Sequence, residues 1–249
     1  MSFTRYDSLK GRTVIVTGGA SGIGAAFVRA FAENGARVGF LDLRQEAGAA
    51  LAAELGQSFL RCDLMDIAAL RAALDELRVQ LGPAAVLVNN AANDQRYEFA
   101  AMTPEEFDRT IAVNFRHVFF AAQHIAPQMR ELGYGSIVNM SSVSWMRGIP
   151  YLEAYASAKA AIVGFTNTLA RALGQYRIRV NAIAPGMVLT ERQRRLWFQD
   201  ESLIETGRAA QCLPDLIAPE DIANLALFLA ADDSRLITKQ CISVNGGVL

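Results

Sequence analysis

A chain of 249 residues, 52% apolar and 20% charged, has ample material for a large buried core. Its formal charge of −1 gives no electrostatic basis for gripping nucleic acid or an anionic membrane surface, and no apolar run approaches the roughly 20 residues of a membrane span. The first ten residues lack the apolar stretch of a signal peptide, and Cys62, Cys212 and Cys241 are far apart without metal-ligand spacing, a pattern that predicts reduced thiols in a cytoplasmic protein with no metal site.

Strand-length apolar runs alternate with segments of helical period. Strands are expected at Thr13 to Thr17, Arg37 to Leu41, Ser58 to Cys62, Ala85 to Val88, Ser136 to Met140, Arg179 to Ile183 and Cys241 to Val244. Helices are expected near 23–34, 45–55, 66–81, 104–131, 154–174 and 219–230. Such alternation builds a parallel sheet with helices on both faces, and continuously apolar strands fit burial from two sides. This predicts an α/β fold: a Rossmann-type doubly wound sheet of seven parallel strands. No linker, repeat or low-complexity tract interrupts residues 1–249, so one domain is expected. Met187 to Pro214 has no clear place in the alternation; a loop of that length is usually functional, and residues 187–214 are a candidate active-site lid carrying Glu191, Arg192, Arg194, Arg195 and Trp197.

After the first strand comes Thr17-Gly18-Gly19-Ala20-Ser21-Gly22-Ile23-Gly24, opening directly into a helix. Glycines there let backbone amides approach a pyrophosphate, and the helix start adds partial positive charge. No Lys-Ser/Thr pair follows, which excludes a P-loop nucleotidase. Asp42 ends the second strand, where a carboxylate can accept hydrogen bonds from the adenosine ribose and would repel a 2′-phosphate. That favours NAD, although Arg44 is placed to accommodate the phosphate of NADP. Asp63 follows the third strand and can reach toward an adenine, with helix capping by it or by Asp66 as the competing reading.

Tyr155 and Lys159 stand four apart in a helical segment and so project side by side. A free phenol has a pKa of about 10, and a neighbouring cation is expected to lower it toward the working range. Lys10, Lys159 and Lys239 are the only lysines in a chain that otherwise uses arginine, and a compact ammonium can touch a phenol and a ribose hydroxyl together. Ser141 and Ser142 follow the fifth strand, at the edge where such sheets bind ligands. No G-x-S-x-G elbow surrounds them, and the two histidines, His117 and His124, share one helix, which excludes a serine hydrolase. Both histidines read as packed or solvated helix residues. A catalytically silent NAD-binding regulator is the rival from another class.

In order and spacing these residues resemble the short-chain dehydrogenase/reductase family over essentially the whole chain: the glycine turn, Asn89-Asn90-Ala91-Ala92, Asn114, Ser142, Tyr155, Lys159 and Pro185-Gly186. The family's Asn-Asn-Ala-Gly is Asn-Asn-Ala-Ala here. The resemblance implies that Tyr155 is the general acid/base, that Lys159 lowers its pKa and holds the nicotinamide ribose, that Ser142 binds the reacting oxygen and that Asn114 supports a water and proton relay. With that family set of four intact, the resemblance argues against the silent regulator. It also implies cofactor contacts from Gly18, Ser21, Gly22, Ile23, Gly24, Asp42, Asp63, Leu64, Asn90, Pro185, Gly186 and Val188. A homotetramer built on the Tyr155 helix and the end at Val244 to Leu249 is implied as well.

A narrower set, Asn89 to Asp94, Asn114-Phe-Arg-His117, Ser142-Val-Ser-Trp145, Thr190-Glu-Arg-Gln193 and Ala210 to Leu213, is similar to the bacterial sugar 1-dehydrogenases, which oxidise the anomeric carbon of an aldose to a lactone. Asn93, Asp94 and Arg96 offer donors and acceptors for several hydroxyls, Trp145 and Trp197 flat apolar faces, and Ser144 and Gln193 further polar contacts. The alternative within the family is an alcohol dehydrogenase or carbonyl reductase acting on a non-sugar compound.

Overall fold

The computed structural model describes residues 3–249. All seven strands lie parallel in one sheet of order β3-β2-β1-β4-β5-β6-β7. They are β1 (Thr13–Thr17), β2 (Arg37–Asp42), β3 (Ser58–Arg61), β4 (Val86–Asn89), β5 (Gly135–Met140), β6 (Ile178–Pro185) and β7 (Cys241–Val244). The helices are α1 (Gly22–Glu33), α2 (Gln45–Leu55), α3 (Ile67–Leu81), α4 (Pro104–Ile111), α5 (His117–Leu132), α6 (Ser144–Arg147), α7 (Glu153–Leu173), α8 (Glu191–Leu196), α9 (Glu201–Ala209) and α10 (Pro219–Ala230).

The central strands carry apolar side chains on both faces because helices cover both sides of the sheet. Val14 and Val16 enter one core with Phe27, Phe31 and Leu227, while Ile15 between them enters the other with Leu74, Leu77 and Ile125. β4 repeats the alternation, with Val86 and Val88 on the first side and Leu87 on the second. Burying a side chain such as Phe31, fully enclosed here, stabilises by about 1.5–3 kcal/mol. The strand order reverses between β1 and β4, both leading away from the switch point where such sheets open a crevice at their carboxyl ends.

Two expectations need correction. The span 104–131 is not one helix. α4 starts on a capping box, with Thr103 accepting from the Glu106 amide and Glu106 accepting from the Thr103 amide. A π turn at Ala112–Arg116 then separates it from α5. Asn114 causes a local competition: its side-chain amide donates to the Thr110 carbonyl at 2.9 Å, a group the regular ladder would otherwise use.

The region 187–214 is also not an irregular loop, for it contains α8 and α9. Thr190 caps α8 by accepting from the Gln193 amide at 3.2 Å, and Asp200 caps α9 by accepting from Ser202 at 2.9 Å. α9 buries Ile204 and passes so close to Met187 that a Cβ on Gly207 would lie 2.5 Å from its sulfur. No helix among the described residues is long and apolar enough to cross a membrane.

Candidate active site

The turn after β1 is shaped by contacts that admit only glycine. Gly18 and Gly22 adopt φ values of 68° and 53°, in the left-handed region. A Cβ on Gly24 would stand 1.8 Å from the Gly18 carbonyl oxygen. Asn90, just past β4, braces this turn: its side-chain amide donates to the carbonyls of Thr17 and Gly18, each at 3.0 Å, and its backbone N–H donates to Thr17 Oγ1. With its amide N–H groups committed, Asn90 has only acceptor oxygens, Oδ1 and its carbonyl, to offer a ligand. Ser21 is the N-cap of α1 and makes no side-chain cap, and the first amides of a helix have no partner within it. A cradle closed to side chains, at the start of a twelve-residue helix, fits the pyrophosphate of a dinucleotide.

Asp42 ends β2 beside this turn, accepting from the amides of Ala20 and Arg44, each at 3.0 Å. Two hydrogen bonds leave a carboxylate free to accept two more. At the next strand the capping question resolves toward Asp66, which accepts from Ala68 and Ala69 at the start of α3. Asp63 holds an Asx turn through Met65 and stays exposed. Leu64 is buried, packed in the second core. Pro185 ends β6, and Gly186 passes so close to the chain near β7 that a Cβ would lie 2.9 Å from Asn245 Cα. Val188 is buried and bridges to Ile217.

The structure brings Ser142, Tyr155 and Lys159 together. Ser141 and Ser142 have separate tasks: Ser141 is buried and donates to the Lys159 carbonyl at 2.8 Å, whereas Ser142 stands beside the Tyr155 phenol and accepts from the Ser144 amide at 3.1 Å. Lys159 is 2% exposed; its Nζ donates to the Met140 carbonyl at 2.8 Å and lies 5.6 Å from the Tyr155 ring centre. Burial lowers the Lys159 ammonium to about 7, with Asp94 opposing the fall. The Tyr155 phenol is pushed up, by burial first and by Asp94 second, against a lowering by Ser142. Lys159 is not among the groups that shift the phenol, and desolvation penalises phenolate and ammonium alike.

Asn114 is fully buried and spends its side chain on Asn93, accepting from that amide and donating to that carbonyl at 2.9 Å each. Its side chain therefore positions the loop after β4. Beyond it, Asp94 accepts from Gln193 Nε2 at 2.6 Å, and Arg192 donates to Asn93 Oδ1 at 2.7 Å and reaches Asp94 Oδ1 at 3.4 Å. Arg96 lies over Trp197, 4.6 Å from its ring centre, so one face of that indole is already covered; Trp197 Nε1 is buried without a partner. Trp145 is 38% exposed on α6, and the neighbouring Ser144 hydroxyl is buried without a partner.

Two residues with no assigned site role from sequence stand in this wall. Arg192 joins the lid region to the Asn93–Asp94 loop. His117, at the start of α5, is fully buried with Nε2 3.1 Å from the Ala91 carbonyl; burial, then Lys159, lower its pKa to about 4. His124 instead pairs with Asp75 at 2.8 Å on the surface. Nothing in the spacing of Arg192 marks it, since the contact spans 99 positions; the Asn114-Phe-Arg-His117 turn was the available signal for His117.

A family model described as enoyl-(acyl carrier protein) reductase matches residues 18–249. A probable galactose dehydrogenase, GalD, of Rhizobium meliloti (strain 1021) is 47% identical over 98% of this chain and 98% of its own. A D-xylose 1-dehydrogenase of Caulobacter vibrioides (strain NA1000 / CB15N) is 46% identical over 99% of each chain. A 3alpha-hydroxysteroid dehydrogenase of Mediterraneibacter gnavus is 38% identical over 97% of this chain and 98% of its own. The chain belongs to the family that this model describes, the short-chain dehydrogenases/reductases, and is an oxidoreductase that works with a nicotinamide cofactor.

Proposed function

We propose that this protein is an NAD-dependent aldose 1-dehydrogenase. The carrying observation is the polar wall of Asn93, Asp94, Arg192 and Gln193, whose Asp94 carboxylate acts on both Tyr155 and Lys159. A pocket with so many fixed donors and acceptors suits a polyhydroxylated substrate and rejects molecules that leave those groups unpaired. The similarity to galactose and D-xylose dehydrogenases over nearly the full chain supports the same reading.

In this mechanism Ser142 donates to the C1 oxygen and Tyr155 takes the C1 hydroxyl proton. The C1–H bond breaks with its electron pair leaving as hydride, and the C1–O bond becomes the carbonyl of the lactone. Oxidised nicotinamide, when bound, supplies the hydride acceptor and a positive charge. The glycine turn Gly18 to Gly24 would hold the pyrophosphate, Asp42 the adenosine ribose, and Lys159 the nicotinamide ribose. Asp42 also favours NAD, because its negative charge opposes a 2′-phosphate. Asn114 serves by fixing Asn93, so any water it holds is met by its backbone carbonyl. The helices of region 187–214 form the lid, seated on the wall through Arg192 and Gln193.

The test is NADH formation with a panel of aldoses, simple alcohols and hydroxyacyl compounds, with NAD and NADP in parallel. Turnover of one or a few aldoses with NAD is the expected result. Activity confined to apolar alcohols would overturn the sugar assignment while leaving the oxidoreductase chemistry in place.

A further inference from the structure

Helix α8 is fastened at two points. Thr190, its cap, stands against the glycine turn, where a Cβ on Gly22 would lie 3.1 Å from Thr190 Cγ2. Two and three residues on, Arg192 and Gln193 reach Asn93 and Asp94. The loop they reach is held from beneath by Asn114. Asp94 is therefore a carboxylate gripped from the lid, with side-chain exposure of 19% against 35% for Arg192. Its charge is felt by both Tyr155 and Lys159. Among the other charged or titratable groups nearby, Lys159 from α7 faces Asp94, Arg96 on the Asp94 loop is turned over Trp197, and His117 from α5, neutral at ordinary pH, faces Lys159.

We propose that Arg192 is a positioning residue for the hydride-transfer reaction: it holds and partly neutralises the Asp94 carboxylate, so the seating of α8 governs both the grip on substrate hydroxyls and the ease with which Tyr155 releases its proton. The grip on hydroxyls rests on the sugar reading above; the influence on Tyr155 does not. A guanidinium beside Asp94 offsets the negative charge that otherwise disfavours phenolate. Removing the arginine leaves that charge uncompensated, so the phenol becomes harder to ionise. Removing the carboxylate does the reverse.

The test is the pH dependence of kcat/KM for Arg192→Leu, Arg192→Lys, Asp94→Asn and the Arg192→Leu/Asp94→Asn double variant of the full chain. The acid limb of oxidation should move to higher pH in Arg192→Leu, by about half a unit or more, and to lower pH in Asp94→Asn. Arg192→Lys should restore most of the limb. In the double variant the two limb shifts should fall well short of adding, since Arg192 acts on the phenol chiefly through its hold on the carboxylate while its bond to Asn93 serves the seating of α8. Arg192→Leu should raise KM for the sugar more than it lowers kcat. As a readout independent of turnover, trypsin should cut after Arg194 and Arg195 several-fold faster in Arg192→Leu and in Asp94→Asn. An unmoved limb in Arg192→Leu, limb shifts that simply add in the double variant, or unchanged proteolysis would each overturn the proposal. Should the wild type oxidise an alcohol but no aldose, the sugar reading fails, and the limb test proceeds on that alcohol.

Discussion

Tyr155 and Lys159 lie one turn apart on α7, yet the lysine amine points its hydrogen bond at the Met140 carbonyl, 2.8 Å away, rather than at the phenol. This makes Lys159 a strut between α7 and the end of β5 as well as a charge. Tyr155→Phe removes the proton acceptor while leaving that strut in place. Turnover should fall by about 10²–10⁴-fold, with NADH affinity, read by fluorescence titration, within a factor of two or three. Lys159→Ala should lose turnover and NADH affinity together. Near-normal turnover in Tyr155→Phe would remove it from the chemistry.

The same pair sets the pH response. With the Tyr155 phenol raised and the Lys159 ammonium lowered to about 7, the protein holds both groups uncharged in mildly alkaline solution. Oxidation needs Tyr155 as phenolate to accept the hydroxyl proton, so its rate should climb with pH through the alkaline range. Reduction, which needs the phenol protonated, should not. A pH profile of both directions checks this, and an oxidation rate that falls steadily above pH 7 would contradict it.

Much of this was legible from the sequence, for reasons visible in particular residues. β1 and β7 fall on their expected bounds because apolar runs such as Val14-Ile15-Val16 serve two cores at once and carry no competing helical period. The convergence of Ser142, Tyr155 and Lys159 was legible because a strand end and a helix face hold them at fixed places. The break in 104–131 was hidden, since it depends on the Asn114 side chain finding Asn93 and Thr110 in three dimensions. α8 was hidden behind its arginines, whose helical order comes from the Thr190 cap and from partners on a distant loop.

Cofactor choice is testable at Asp42. Asp42→Asn keeps an acceptor for the Ala20 amide but discards the charge that repels a 2′-phosphate, and Arg44 stands two residues on. The ratio of kcat/KM for NAD over NADP should drop at least about tenfold, a change of about 1.4 kcal/mol. A ratio unchanged from wild type would show that selectivity resides elsewhere.

The glycine turn offers a steric test. Gly24→Ala would drive a methyl into the Gly18 carbonyl and toward the Asn90 amide, which lies 2.7 Å from the added carbon. The first is backbone and the second is pinned by its bonds to Thr17 and Gly18, so β1, the turn and the β4 end must all shift. The expected cost is roughly 3 kcal/mol or more of stability with severe loss of NADH binding. Gly56→Ala is the control, since Gly56 has φ of 65° but nothing within 4 Å of an added Cβ. It should cost only about 1 kcal/mol through backbone strain and spare binding.

His117 predicts an acid weakness of the fold. Its imidazole is fully buried, with Nε2 against the Ala91 carbonyl, and takes a proton only near pH 4 in the folded chain, against an ordinary value of 6.5. Between those values the unfolded chain binds a proton that the folded chain refuses, so stability falls as pH drops from 6.5 toward 4 and rises as it returns. The gap corresponds to about 3 kcal/mol, full below pH 4 and absent above 6.5. Carboxylates contribute to any acid unfolding, so the informative quantity is the difference between wild type and His117→Gln, which retains a donor for Ala91. Urea unfolding at pH 7 and pH 4.5 should show a smaller loss of stability in the variant than in the wild type. Equal losses would mean that the buried imidazole is not what the folded state protects from protonation.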